Sequence, residues 1–255
     1  MGDTADSRDG DPADSPRTKP GFPVVTIVPE GDIVLDVTFE TSRETLKAAR
    51  RAARPRPGQN AASPPALQPE TRVGYRVQLS ALKQNSKYFA NLLGDTRFAE
   101  AKSIEQGLQQ LLLKNVKPSE ADAGDLPVVR IREDDEATRS ASHVSVFEDL
   151  LRILHRKQST SKAVTMHYLA VLALLADRFD CTAIVSRYVS ALKYKWPATP
   201  AKPSRDDGPS LSRAAEELVR QKILVAWLLD QPLKLHAATR ELIVSGSRRW
   251  SASPF

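Results

Sequence analysis

A single cysteine, Cys181, serves the whole chain, which excludes a disulfide framework and any zinc site needing two or four cysteines from one chain. No basic residue stands near it in sequence to depress its pKa, so a buried small hydrophobe is expected rather than a nucleophile. Glycine is scarce, 11 against 18 prolines, and neither a Gly-x-Gly-x-x-Gly cradle nor a P-loop occurs. Long apolar runs are missing as well. The longest, residues 168–176, is closed by His167 and Asp177 and falls far short of the ~20 residues a spanning helix needs. Met1-Gly2-Asp3-Thr4-Ala5-Asp6 has no basic stretch ahead of an apolar one, so no signal peptide is expected. Asp6 also stands where myristoylation wants Ser or Thr. A soluble intracellular protein of nucleus or cytoplasm, with no membrane partner, is the expectation.

Signature spacing for catalysis is equally thin. His143, His155, His167 and His236 form no i, i+4 pair, and each reads as a surface or half-buried histidine. Glu133-Asp134-Asp135-Glu136 lacks the glycine-turned loop and spaced oxygens of a hard-cation site and reads as a solvated acidic loop. No catalytic, cofactor-binding or metal-ligating set emerges, and an enzyme is not expected.

The net charge of +6 looks like a nucleic-acid footprint until it is located. Residues 41–72 hold seven basic side chains (Arg43, Lys47, Arg50, Arg51, Arg54, Arg56 and Arg72) against Glu44 and Glu70, which is nearly the whole excess. Pro55, Pro57, Pro64 and Pro65 break any regular element, so this stretch reads as a disordered basic insertion, with a nascent helix over residues 43–54. The cluster Arg50, Arg51, Arg54 and Arg56 suits nuclear import or phosphate contact. Without aromatics to stack on bases, nucleic-acid contact through it would be non-specific.

Hydropathy supplies the elements. Residues 1–21 form an acidic tail with five Asp, expected to be disordered. The β-branched run 24–28, a turn at residues 29–32, and the alternation of Ile33, Leu35, Val37 and Phe39 predict a hairpin. Tyr75, Val77 and Leu79 alternate again and should return beside the first strand. Ser86 caps a short helix carrying Phe89, Leu92 and Leu93, with Gly94 at its end. Residues 103–126 are a second insertion containing a Leu-rich stretch, and Val128–Ile131 is a short strand. Helices follow over residues 145–155, 163–178 and 181–193, the middle one apolar nearly all round. A Pro-rich linker (196–209) leads to a helical C-terminal extension (210–250).

Several residues in this order resemble the BTB/POZ domain. Asp36-Val37-Thr38-Phe39 matches its first signature strand, and Tyr75-Arg76-Val77-Gln78-Leu79 with Leu82 the second. Ser86-Lys87-Tyr88-Phe89 with Leu92-Leu93 looks like its Ser-x-x-Phe helix, Val129-x-Ile131 with Asp134 its third strand, Val146-Phe147 with Leu150-Leu151 its next helix, and the stretch from Leu172 to Phe179, with Ala176-Asp177, its Leu-x-x-Ala-Asp helix. Departures are the long excursion 40–74 where the family has a tight turn, the insertion 103–126, and Leu154-His155-Arg156-Lys157 in place of an aromatic-Thr-Gly ending. The layout is most similar to divergent fungal members with insertions. The resemblance implies an α+β fold, a small β-sheet with a cluster of α-helices, spanning residues 22–195 and followed by the helical extension. It implies a non-catalytic dimerisation or adaptor module with protein partners, itself included. A second implied partner is a cullin scaffold, contacted through a hydrophobic-x-Glu motif that Phe98-Ala99-Glu100 fits. The remaining reading is a nuclear regulator touching nucleic acid through the basic insertion.

Overall fold

The computed structural model describes residues 21–53, 67–161, 163–202 and 210–245. The acidic tail up to residue 20, Arg54 and Arg56, residues 203–209 of the linker and residues 246–250 of the extension lie outside these. The described residues form a mixed α/β fold with one four-stranded sheet and nine helices, and none of those helices is long and apolar enough to cross a membrane.

Strand β2 (Ile33–Glu40) organises the sheet, because its alternation decides which face is buried. It pairs antiparallel with β3 (Glu70–Val77) over its full length, Val37 opposite Val73 and Leu35 opposite Tyr75. On its other side it pairs parallel with β4 (Val128–Asp134). The two stretches separated by the basic excursion therefore do return edge to edge.

The expected hairpin does not form. β1 (Val24–Thr26) runs parallel to β3 instead, giving the order β1-β3-β2-β4. The cause lies in residues 27–32. Ile27 and Val28 both donate from their backbone N–H to Arg76 O, and Asp32 N–H donates to Val77 O, so this segment crosses over the end of β3 and enters β2 on its far side. Gly31 makes the crossing feasible: a Cβ there would stand 2.9 Å from the backbone of Val77.

The basic insertion is in part regular structure. Residues 43–52 form α1 (Arg43–Ala52), whose capping Ser42 accepts from Thr45 N, while residues 70–72 already belong to β3. Two ties anchor α1: Ser42 N–H donates to Asp135 Oδ1 at 2.7 Å, and Arg139 pairs with Glu44 at 3.5 Å. The second insertion is likewise structured in its first half, as α4 (Ala99–Leu113). Alternation of β3 stops at Val77, and Leu79 opens a helix that the pattern did not announce, α2 (Leu79–Asn85), its Leu79 N–H held by Asp32 Oδ1 at 2.7 Å. α3 (Lys87–Gly94) starts as expected, Ser86 Oγ accepting from Phe89 N, but Gly94 is its last residue and Asp95 the cap.

The inner sheet face meets α5 (His143–Leu154) and α6 (Met166–Arg178), the latter buried nearly all round. Phe147 sits at the junction, with ring centroids 5.4 Å from Phe39, 5.7 Å from Tyr75 and 5.4 Å from Phe179. α7 (Thr182–Ala191) follows, then a two-residue strand pair, β5 (Ala201–Lys202) and β6 (Ser210–Leu211). α8 (Arg213–Leu228) packs on α6, and its Val225 with Leu229 belongs to the same core as the sheet; α9 (Pro232–Ser245) packs on α8. Scarce glycine shows in the helix ends. Asn115, Arg156, Asp180, Lys193 and Asp230 take positive φ where glycine is usual, each at a cost of about 1–2 kcal/mol.

Candidate interaction surface

Period-two alternation turns Val34, Asp36 and Thr38 of β2 outward, away from the helices, together with Arg72 and Gly74 of β3 and Arg130 and Arg132 of β4. Part of this outer face is covered. Val34 packs with Leu111, Ala121 and Leu126 in a small second core, so the residues after α4 form a lid over one end of the sheet. Beside that lid lies a groove of about 680 Å³.

Asp36 forms the groove floor and is only 2% exposed. A carboxylate there needs a partner, and Arg72 supplies a two-pronged one, Nε to Oδ1 at 2.7 Å and Nη2 to Oδ2 at 2.6 Å. That hydrogen bond raises the Arg72 pKa above the ordinary arginine value. Phe22 packs on the guanidinium from above, 4.5 Å from ring centroid to Cζ. The same ring lies over Gly74, where a Cβ would come within 2.6 Å of it. Arg130, 3.9 Å from Asp36 and 86% exposed, leaves most of its donor fork facing solvent.

The predicted motif borders this groove but is split by it. Phe98 caps α4, 43% exposed and outside the lining, while Ala99 and Glu100 line the groove together with Arg130. Of the basic cluster, Arg50 and Arg51 are in the last turn of α1, both exposed. Arg54 and Arg56 lie outside the described residues. Arg72, one of the seven basic residues counted in 41–72, instead serves Asp36.

Comparisons of the chain with protein-family models, with characterised proteins and with solved structures returned no match. The chemistry must be read from the residues themselves.

The acidic run is not a solvated loop. Glu133 and Asp134 close β4, and Glu133 and Asp135 are buried. Inward register puts Glu133 beside Arg178 Nη1 at 2.9 Å and His143 Nε2 at 3.4 Å, while Asp134 takes Arg178 Nη2 at 2.9 Å. That contact lowers the Asp134 pKa. His143 is buried too, with Nδ1 3.1 Å from Thr138 Oγ1. Hydroxyl, imidazole and carboxylate thus stand in the order of a nucleophile–base–acid set, but all three are shut from solvent and Arg178 already neutralises the acid. Burial pushes the Cys181 thiol up to about 12, the reverse of what a nucleophile needs.

His155 carries a further role that spacing could not disclose. Gln78 N–H donates to its Nε2 at 3.0 Å, so Nδ1 holds the proton and donates to Leu151 O at 2.7 Å. The ring therefore joins the end of α5 to the β3–α2 junction only when neutral. Burial lowers its pKa below the ordinary 6.5, and Lys157 adds to this, against the smaller opposing pull of the two backbone hydrogen bonds and Asp32. The unfolded chain then binds the proton more readily than the folded one. Stability should be full above about pH 6.5 and decline as the pH falls through the lowered folded value. Denaturant titrations across pH 5–8 check this: His155→Gln should flatten the slope, and an unaltered slope would remove the assignment.

Proposed function

We propose that the chain is a non-catalytic protein–protein interaction module of the BTB/POZ type, working by self-association or as an adaptor. The observation that carries the reading is the sheet around β2: antiparallel to β3 across a long excursion, parallel to β4, with α5 and α6 on its inner face and the elements in the order of the resemblance. Apolar side chains left on the outside add support. Leu112 and Leu113 at the end of α4 are 80% and 86% exposed, and Trp227, Leu233 and Ile243 project from α8 and α9. Covering such surface returns about 25 cal/mol per Å², against the entropy of association. Light scattering coupled to size exclusion tests the reading. A particle of twice the chain mass is expected, and a monomer at every loading concentration would contradict self-association.

A cullin scaffold as partner is the second reading, favoured by the exposure of Phe98 next to Glu100. The double variant Phe98→Ala/Glu100→Ala should cut recovery of a purified cullin by about tenfold or more, in line with loss of an interface anchor. Undiminished recovery would reject the motif. The nucleic-acid reading retains Arg50 and Arg51 on α1 but not Arg72.

A further inference from the structure

After α7 the chain borders α8 and α9 along a second, open cavity of about 280 Å³, just below the usual size of drug-sized ligand sites (about 300–1,000 Å³) and roomy enough for a smaller molecule. Tyr194, Trp196 and Pro197 give it an apolar wall, and the small side chains Ala237 and Ala238 of α9 keep it open.

Its polar groups are few and of one dominant sign. Lys222 of α8 has a side chain only 9% exposed, and its one hydrogen bond among the described residues is to Thr199 Oγ1 at 2.7 Å. Among the described residues its nearest carboxylate, Glu241 of α9, stands 3.8 Å away, beyond hydrogen-bond reach. An ammonium has three protons to place, and a buried one left short of acceptors is costly. Exposed Lys234 of α9 also lines it, with Nζ 4.5 Å over the Trp196 ring, and partial burial lowers its pKa. Among the described residues, two lysines and one carboxylate therefore line this cavity, which leaves its described lining one negative charge short of neutral.

We propose that this cavity binds a small organic monocarboxylate, its carboxylate bridging Lys222 and Lys234 and its apolar body lying against Trp196, Tyr194 and Pro197. A monoanion balances the charge. A phosphate dianion would overshoot it, and the lining offers neither an arginine fork nor a nest of backbone N–H groups to hold one. An apolar wall gives free phosphate nothing, whereas it rewards a carbon skeleton. The site is remote from the sheet groove in sequence and in lining residues, so its fate is independent of the module reading.

Isothermal titration of the full chain with sodium benzoate, and separately with inorganic phosphate at matched ionic strength, tests the proposal. Saturable benzoate binding is expected, weakened about tenfold or more by Lys222→Met or Lys234→Met, as for loss of a charged hydrogen bond. Ala237→Trp, at an exposed position on the cavity wall, should abolish it by filling the space, and Glu241→Gln should tighten it by removing the competing carboxylate. Lys234 and Ala237 are exposed, so those variants decide the matter if Lys222→Met fails to fold. The proposal is overturned by absence of saturable benzoate binding, by phosphate binding as well as benzoate, or by benzoate binding that survives both Lys234→Met and Ala237→Trp.

Discussion

Phe147→Ala is expected to lower the unfolding free energy by about 3–5 kcal/mol, the range for deleting a fully buried phenylalanine. The position carries this because its ring is the common neighbour of three elements. It meets Phe39 on β2, Tyr75 on β3 and Phe179 at the end of α6, and none of the four is more than 3% exposed. A cavity opened there cannot be filled by collapse of one side chain, since each neighbour is held by a different element. Domains of this kind have about 5–15 kcal/mol in total, so the variant should sit near the edge of folding at about 37 °C. Phe147→Leu, which returns most of the volume, should recover more than half of the loss. Chemical denaturation of the three proteins measures both effects, and a loss under about 1 kcal/mol for Phe147→Ala would mean that sheet and helices do not meet through this ring.

Asp149→Ala should be nearly as damaging, on the order of 3 kcal/mol, for an electrostatic reason. Asp149 lies just past the middle of α5, on a helix of apolar neighbours, and is fully buried. Its carboxylate collects four donors: Thr160 N–H at 2.6 Å, Thr160 Oγ1 at 2.9 Å, Tyr168 OH at 3.1 Å, and Ser161 Oγ. Together they fasten the α5–α6 connection to the helix core. Removing the carboxylate strands the buried Tyr168 hydroxyl without its acceptor and releases the Thr160 and Ser161 ties of the connection, which costs more than one bond contributes. Asp149→Asn tests this apart from packing. It keeps the shape but turns an NH2 toward hydroxyl and amide donors, so it should lose most of what the alanine variant loses. If Asp149→Asn were as stable as the parent, the charge would be incidental.

How far the sequence could be read depended on whether one side chain or two decided the matter. β2 was legible because Ile33, Leu35, Val37 and Phe39 alternate without interruption, and a slip of one residue would expose all four. α6 was legible from its unbroken apolar face, and α3 from its Ser86 cap. The partner of the 24–28 run was not, since three strand residues beside a proline-led turn suit a hairpin by local rules alone. The crossing of residues 27–32 over β3 is fixed by backbone bonds to Arg76 and Val77, far off in sequence. α2 went unseen because Leu79 continues the strand alternation numerically; its helix is started by Asp32, which lies on another segment.

The surface followed the same division. Asp36 was placed on a strand, and Arg72 in a basic insertion, and nothing local says that they meet. A signal was available in hindsight of the register alone: a buried acidic residue on the outward face of a central strand requires a cation from a neighbouring strand. Glu133 and Asp135 were misjudged for a related reason. A run of four acids reads as solvated, yet β4 extends through Asp134 and its alternation turns Glu133 inward to Arg178, a residue on a helix far along the chain.

Everything rests on β2 and β3 being neighbours despite the excursion between them. Cross-strand nuclear Overhauser contacts in the full-length chain examine that pairing directly. Contacts between Leu35 and Tyr75 and between Val37 and Val73 are expected, with Val25 adjoining Tyr75 rather than β2. Contacts from Leu35 and Val37 to residues 24–28, with none to Tyr75 or Val73, would contradict the account.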